Sequence, residues 1–276
     1  MEQHLHCGRF SLSLEKPLIM GIVNLTDHSF SGDGLGGDPQ RAITHGLRLV
    51  EEGAHILDIG AESSRPGAPP VSVQQELERL LPVMTGLRDC GVPLSVDTVK
   101  PEVMREVLAA GADMINDIAA LQAPGALEAV AATMAGVCLM HMQGEPGSMQ
   151  RAPHYADVVS EVAGFLTRRV QAAENAGIAV GRIVVDPGFG FGKTLEHNLS
   201  LLRRLPALQA AGRPLLVGLS RKSMLGLLTG RPAAERVHAS ITVALLALQR
   251  GAAIVRVHDV AATRDAIAIW NAVEER

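Results

Sequence analysis

Aromatic residues are scarce in this chain. One Trp, one Tyr and five Phe among 276 residues give 3% aromatic content. The interior must therefore be built from Val, Leu, Ile and Ala, the residues that fill the centres of α/β barrels. Cysteine is scarcer still. Cys7, Cys90 and Cys138 are odd in number, far apart and in no C-x-x-C spacing. That argues against a disulfide framework and reads as idle thiols in a reducing compartment. No His/Cys/Asp cluster has zinc spacing, and His4, His6 and His154 are scattered and read as solvent-facing. Neither charge dominates: 25 Lys and Arg stand against 29 Asp and Glu, a formal net charge of -4. Without a basic stripe, nucleic acid is not an expected partner. No apolar run approaches the roughly 20 residues a bilayer span needs, and the opening MEQHLHCGRF lacks a charged-then-apolar signal pattern. The expectation is a cytoplasmic protein with no membrane contact.

What the chain has is globular composition, 47% apolar and 20% charged, and a length ordinary for one α/β barrel domain over residues 1–276. Short apolar runs at 18–23, 55–59, 93–97, 113–117, 137–142, 182–186, 214–219 and 253–258 read as strands. Amphipathic stretches near 39–53, 72–90, 101–111, 125–135, 155–177, 195–211, 235–251 and 260–274 read as helices. Ser72 with Glu76 and the Pro101 opening mark helix starts. Gly53, Gly91, Gly111, Gly177, Gly212 and Gly251 fall just past helix ends. Eight strand–helix units with continuously apolar strands predict a parallel sheet covered by helices, closed as a (β/α)8 TIM barrel. A doubly wound open sheet is the alternative. LHCGRFSLSL, before the first barrel strand, reads as a short N-terminal β-hairpin turning near Gly8–Arg9 at the barrel's bottom.

Polar residues sit at the end of nearly every predicted strand. Asn24 follows the first. Glu62, Ser63, Ser64 and Arg65 follow the second, and Asp97 ends the third. Asn116 and Asp117 end the fourth, His141 the fifth and Asp186 the sixth. Ser220, Arg221 and Lys222 follow the seventh, and Arg256 and His258 end the eighth. Taken alone, Asp117 and His141 read as a helix cap or a satisfied core group. All eight ends together predict a site at the C-terminal rim, where barrel enzymes carry their chemistry. Asp97, Asn116 and Asp186 suit a planar heterocycle with a guanidine-like edge. Arg65, Lys222, Arg256 and His258 offer donors and positive charge, and a diphosphate would suit the Arg/His group. The rim is expected to hold acids and amides on one side and cations on the other.

Two further motifs are declined. GDGLGG (32–37) fits G-x-G-x-x-G but begins well after the first strand. GFGFGKT (188–194) resembles a phosphate-binding loop, but Pro187 occupies the position of its first glycine. It reads as a flexible loop presenting Phe191.

MGIVNLT…SFS (20–31), DIGAESSRPGA (58–68), SVDT.KPEV (95–103), NDI (116–118) and LMHMQGEPGSMQ (139–150) occur in that order. DPGFGFGKT..HN (186–198), GLSRKSMLG (218–226) and VRVHDV (255–260) follow. Together they resemble the dihydropteroate synthase family of pterin-binding TIM barrels, from about residue 18 to the end. The resemblance implies condensation of 6-hydroxymethyl-7,8-dihydropterin diphosphate with 4-aminobenzoate, giving 7,8-dihydropteroate and diphosphate. It implies Mg2+ ligated by Asn24. Arg65, Arg256 and His258 would hold the diphosphate beside Asn24. Asp97, Asn116, Asp186 and Lys222 would bind the pterin ring, with Met140 and Phe191 on its faces. Phe30, Ser64, Pro66, Phe191, Ser220 and Lys222 would line the aminobenzoate pocket. Asp97, Lys222, Arg256 and His258 would be the catalytic set, and the assembly a homodimer through barrel helices.

The sequence departs from the family in places. Residues 24–34 read N-L-T-D-H-S-F-S-G-D-G where the family typically has N-x-T-P-D-S-F-S-D-G-G. Ser64 stands for the usual threonine, and Ala119 for a common arginine. A pterin-binding paralogue of weak or no turnover, with this altered first loop, is the alternative. A pterin-dependent methyltransferase would not need the SRKS and RVHD cations, and an aldolase would need a lysine within a strand.

Overall fold

The computed structural model describes residues 4–26, 38–62 and 71–274. After an antiparallel hairpin of β1 (His4–Cys7) and β2 (Phe10–Ser13), eight strands follow. They are β3 (Leu18–Asn24), β4 (Ile56–Gly60), β5 (Leu94–Asp97), β6 (Met114–Asp117), β7 (Gly136–Met140), β8 (Ile183–Asp186), β9 (Leu215–Val217) and β10 (Ala252–Val257). All are parallel, and β10 pairs with both β9 and β3, so the sheet closes as a barrel. The open-sheet alternative is thereby excluded. The chain between strands supplies α1 (Pro39–Glu51), α2 (Val73–Leu87), α3 (Pro101–Ala109), α4 (Ala126–Ala131), α5 (Val158–Asn175), α6 (Leu195–Arg203), α7 (Ser223–Thr229), α8 (Val237–Leu248) and, after β10, α9 (Val260–Val273). Among the described residues no helix is long and apolar enough to cross a membrane.

The local chemistry explains the boundaries. Ser72 caps α2 through a capping box, but its partner is Gln75 rather than Glu76. Pro101 opens α3, where its missing N–H leaves nothing unpaired. All six glycines expected past helix ends adopt positive φ, from 67° at Gly212 to 105° at Gly53, a region closed to most side chains. The expected helix over 195–211 breaks after Arg203, because Pro206 cannot continue the hydrogen-bond ladder, and a 3-10 turn carries on from Leu205 to Ala211. The 125–135 helix is only Ala126–Ala131. The strands expected to reach 142 and 219 end at Met140 and Val217, so His141 and Ser220 lie on loops. The seven-residue α7, ended by left-handed Gly230, is absent from the predicted elements, too short for its periodicity to register.

Side chains alternate in and out along each strand, and the inward set changes character with height. At the bottom it is apolar: Leu18, Met20, Ile56, Met114, Cys138, Val184, Leu216 and Ile254 pack with Leu5 and Cys7 of the hairpin. One step higher it is polar. A larger apolar layer lies between the strands and the helices. The hairpin therefore seals the floor. It is fixed there by Arg9, whose Nε donates to Asp113 Oδ1 at 3.2 Å, while Nη2 donates to Oδ2 at 3.2 Å. All three cysteines are free thiols, with Cys7 and Cys138 buried and Cys90 half-buried.

Gly136 at the start of β7 is one place where hairpin and barrel approach closely. A methyl group there would lie 2.9 Å from Cys7 Sγ and 3.1 Å from the His6 carbonyl oxygen. Gly136→Ala is expected to destabilise the chain by about 1–3 kcal/mol through overpacking and to speed labelling of Cys7 by a thiol reagent. Urea titration together with labelling rates checks this; an unchanged midpoint and rate would show that the hairpin does not need that close seat.

Candidate active site

Two layers of polar side chains fill the C-terminal mouth. The lower one centres on Asp58, which points inward from the middle of β4 and has no exposure at all. Its Oδ1 accepts from Ser95 Oγ at 2.6 Å. Its Oδ2 accepts from Asn116 Nδ2 at 3.0 Å and from Arg256 Nε at 2.6 Å. Three strands and the last one are thus tied to a single carboxylate. The bond turns the Asn116 amide nitrogen toward Asp58 and its oxygen the other way. Arg256 also donates through Nη2 to Asp97 Oδ2 at 3.3 Å. A buried carboxylate demands such partners, since its charge has lost water.

Above this layer a cavity of about 870 Å³, counting the space open to solvent, is ringed by the strand ends. Its lining brings together Asn24, Asp97, Asn116, Met140, Asp186, Phe191, Ser220, Lys222, Arg256 and His258, all sequence-predicted site residues. Phe30, Ser64, Arg65 and Pro66 lie outside the described residues, as does Asp33.

The charges do not sort as expected. Arg256 reaches across from β10 to two carboxylates, so cation and acids interleave. Burial pushes the Asp97 carboxyl above its ordinary range, the charge of Asp58 adds to this, and Arg256 opposes it. Asp186 is likewise raised by burial, chiefly against the pull of Lys222, and its Oδ1 accepts from the Gly188 N–H at 2.7 Å. Lys222 is brought down to about 8 by burial, with Asp186 resisting. Its ammonium donates to the Phe189 carbonyl and sits 4.7 Å from the centre of the Phe191 ring. His258 is set by Ser220, whose Oγ accepts from the His258 backbone N–H at 3.3 Å and lies 2.9 Å from its Nδ1. Asn24 Oδ1 accepts from the N–H and hydroxyl of Thr26, at 3.1 and 2.8 Å.

One reading changes. The segment 188–194, expected to be flexible, is tied down: the Gly190 N–H donates to Asn198 Oδ1 at 2.7 Å, and the Tyr155 hydroxyl to the Gly192 carbonyl at 2.9 Å. Asp117 caps no helix but closes a buried turn, accepting from the N–H groups of Ala119 and Leu121 at 2.7 Å each, and His141 is buried behind the lining, so both are satisfied core groups. Sequence reasoning gave no role to Asp58, although a charge inside an apolar strand, at the inward parity of Gly60, marks it. It also gave none to Glu62, which lines the cavity and is held by Lys100.

A family model for pterin-binding enzymes matches residues 20–258. A dihydropteroate synthase of Neisseria meningitidis serogroup C is 52% identical over 99% of both chains. The chain belongs to the dihydropteroate synthase family. Members of this family are transferases. The crystal structure of the Burkholderia cenocepacia dihydropteroate synthase complexed with 7,8-dihydropteroate has 52% identity and a TM-score of 0.91, over 99% of this chain and 97% of that one. That of the Xanthomonas albilineans dihydropteroate synthase with 4-aminobenzoic acid has 52% identity and a TM-score of 0.91 over the whole of both chains. The stretch matched by the family model runs from β3 to the residue after β10, so it covers every barrel strand.

Because Asp58 orients Asn116 and Arg256 at once, Asp58→Ala is expected to lower kcat/KM by about 100-fold or more through misplacement alone. Asp58→Asn, which keeps an acceptor oxygen, should lose less. Steady-state kinetics on variants shown folded by circular dichroism decide; wild-type turnover in Asp58→Ala would remove Asp58 from any account of the site.

Proposed function

We propose that this rim joins the methylene carbon of 6-hydroxymethyl-7,8-dihydropterin diphosphate to the amine of 4-aminobenzoate, releasing diphosphate and 7,8-dihydropteroate. The observation that carries this is the convergence of Asp97, Asn116, Asp186 and Lys222 on one cavity, with Asn24 and His258 at its edge. Two carboxylates and an amide can meet the donor-rich edge of a pterin, and Lys222 can donate to its carbonyl side. Met140 and Phe191 lie against the ring faces. Ser220, Lys222 and Phe191 line the outer, aminobenzoate side.

The reaction breaks the C–O bond to diphosphate, and its electron pair leaves with the oxygen. Positive charge grows on the methylene carbon and spreads into the ring. Asp97, whose charge is already opposed by burial, favours that cation as it forms. His258, Arg256 and Arg65 receive the leaving diphosphate. The arylamine nitrogen, neutral at pH 7, attacks the carbon and releases a proton to water or diphosphate. No covalent enzyme intermediate is required, so no nucleophile–base pair is either.

The rim suits Mg2+ in one limited way. Asn24 offers a single amide oxygen, fixed by Thr26. Among the described residues no three His, Cys, Asp or Glu side chains gather into a metal-holding group. Asn24 would hold a Mg2+ whose other ligands are diphosphate oxygens and water, as is common for this ion. When bound, it would draw charge from the leaving group.

The homodimer has support on the surface. Leu227 and Leu228 on α7, and Ile269 and Val273 on α9, are exposed by 53–74%. They flank α8, itself apolar on nearly every side. Leu227→Asp combined with Val273→Asp should shift sedimentation from dimer to monomer; a monomeric wild type would end this assignment. A cytoplasmic setting agrees with the three free thiols.

Mixing the protein with Mg2+, pterin diphosphate and 4-aminobenzoate should release diphosphate. Pterin binding without release would instead favour a paralogue that does not turn over. Lys222→Ala should abolish release and leave the chain folded. In the wild type, kcat/KM should fall as pH rises through about 8, where Lys222 loses its proton. It should fall on the acid side from a higher pH than ordinary carboxylates give, as Asp97 and Asp186 gain theirs. Stability follows a different sign: above about 8 the unfolded chain holds a proton on Lys222 that the folded one lacks, so this residue adds stability as pH rises toward 10.5. A pH–rate profile flat from 6 to 9 would rule out both assignments.

A further inference from the structure

Lys193 is a buried lysine for which the reaction has no use, and burial brings it down to about 7. It is 3% exposed. Its ammonium donates to the Gly188 carbonyl at 2.9 Å, the Phe191 carbonyl at 3.0 Å and, more weakly, the His141 carbonyl at 3.4 Å. It also lies 2.9 Å from His141 Nδ1. Burial and the Lys193 charge bring His141 down to about 3, so its ring is neutral and Nδ1 is the acceptor. The ring is braced edge-on by Phe165, 4.9 Å between centres.

These partners belong to two different loops. His141 follows Met140 at the end of β7; Gly188 and Phe191 follow β8. One ammonium thus spans the seam between them. The seam leaves no slack: a methyl group on Gly188 would lie 1.9 Å from the His141 carbonyl oxygen, and one on Gly192 2.3 Å from that of Gln143. The Tyr155 hydroxyl bonds across the same seam to the Gly192 carbonyl at 2.9 Å. An apolar side chain in place of Lys193 would take this donor from the Phe191 and His141 carbonyls, while the Gly188 carbonyl would keep the Phe191 N–H at 3.1 Å, and the freed carbonyls would turn toward water. The two loops would then part.

We propose that Lys193 is a positioning residue that sets the gap between Met140 and Phe191, and with it the fit of a flat ring between them. This rests on the reading that those two side chains lie against the pterin faces. The effect extends to Lys222, because the Phe189 carbonyl and the Phe191 ring that hold its ammonium lie on the tied segment. A looser segment admits water to Lys222. The charged groups around it are Asp186, Arg256, Asp97 and Lys193 itself.

The test measures pterin binding by calorimetry, and kcat/KM against pH, for the wild type, Lys193→Met and Tyr155→Phe. Lys193→Met should bind the pterin at least about tenfold more weakly, a misplacement effect. The alkaline limb of its kcat/KM profile should move above the wild-type position, as water reaches Lys222 and the desolvation that lowers it is relieved. A merely structural lysine would lower the melting temperature and leave the binding constant and the alkaline limb of the folded protein where they were; that result overturns the inference. If Lys193→Met does not fold, Tyr155→Phe decides, with pterin binding expected to weaken by about threefold for one lost hydrogen bond, and unchanged binding overturning it. Failure of the underlying synthase reading would look different: the wild type itself would release no diphosphate. Calorimetry would still measure the gap.

Discussion

A carboxylate cut off from water lies beneath the mouth of this barrel, and the site above is arranged by the way its charge is met. Asp58 takes one hydroxyl, one amide and one guanidinium. Each belongs to a different strand, so the partners cannot shift independently. Arg256, once committed to Asp58, is close enough to Asp97 to bond it too. The result is a chain of alternating charges running from the sealed interior to the cavity wall. Its lower members are fixed by burial and its upper members line the cavity.

The same logic governs the opposite wall. Asp186 and Lys222 pull against one another's desolvation, and each keeps part of the shift that burial imposes. Both also bond backbone of the segment after β8, Asp186 accepting from Gly188 and Lys222 donating to Phe189. Side chains on strand ends and backbone in loops are therefore not separate parts of this site. Moving one moves the other.

The barrel and most of its rim were legible in the sequence because two rules act locally: apolar runs bounded by left-handed glycines define the units, and strand ends gather at one face. What escaped notice needed three dimensions. Asp58 sits two residues below the end of β4, inside a run that reads as ordinary strand, and only the inward parity it shares with Gly60 distinguishes it. Glu76 looked like part of a helix start. Gln75 completes that cap, and Glu76 is turned fully inward, where its Oε2 accepts from Lys100 at 2.6 Å. Lys193 was hidden in a segment resembling a phosphate loop, whose Gly188 and Gly192 answer to close backbone approach. The crossing of Arg256 to the acid side depends on side-chain length against barrel width, which no linear pattern expresses.

The sealed floor has a kinetic meaning. With Leu5 and Cys7 packed into the bottom of the barrel, the mouth is both entrance and exit. A bicyclic ring seated at the depth of Asp97 and Asn116 has to arrive before anything that rests on top of it. A product spanning both places has to depart before the next ring can descend. On the proposed reading, the partner held lower would set the order in which the two enter and leave.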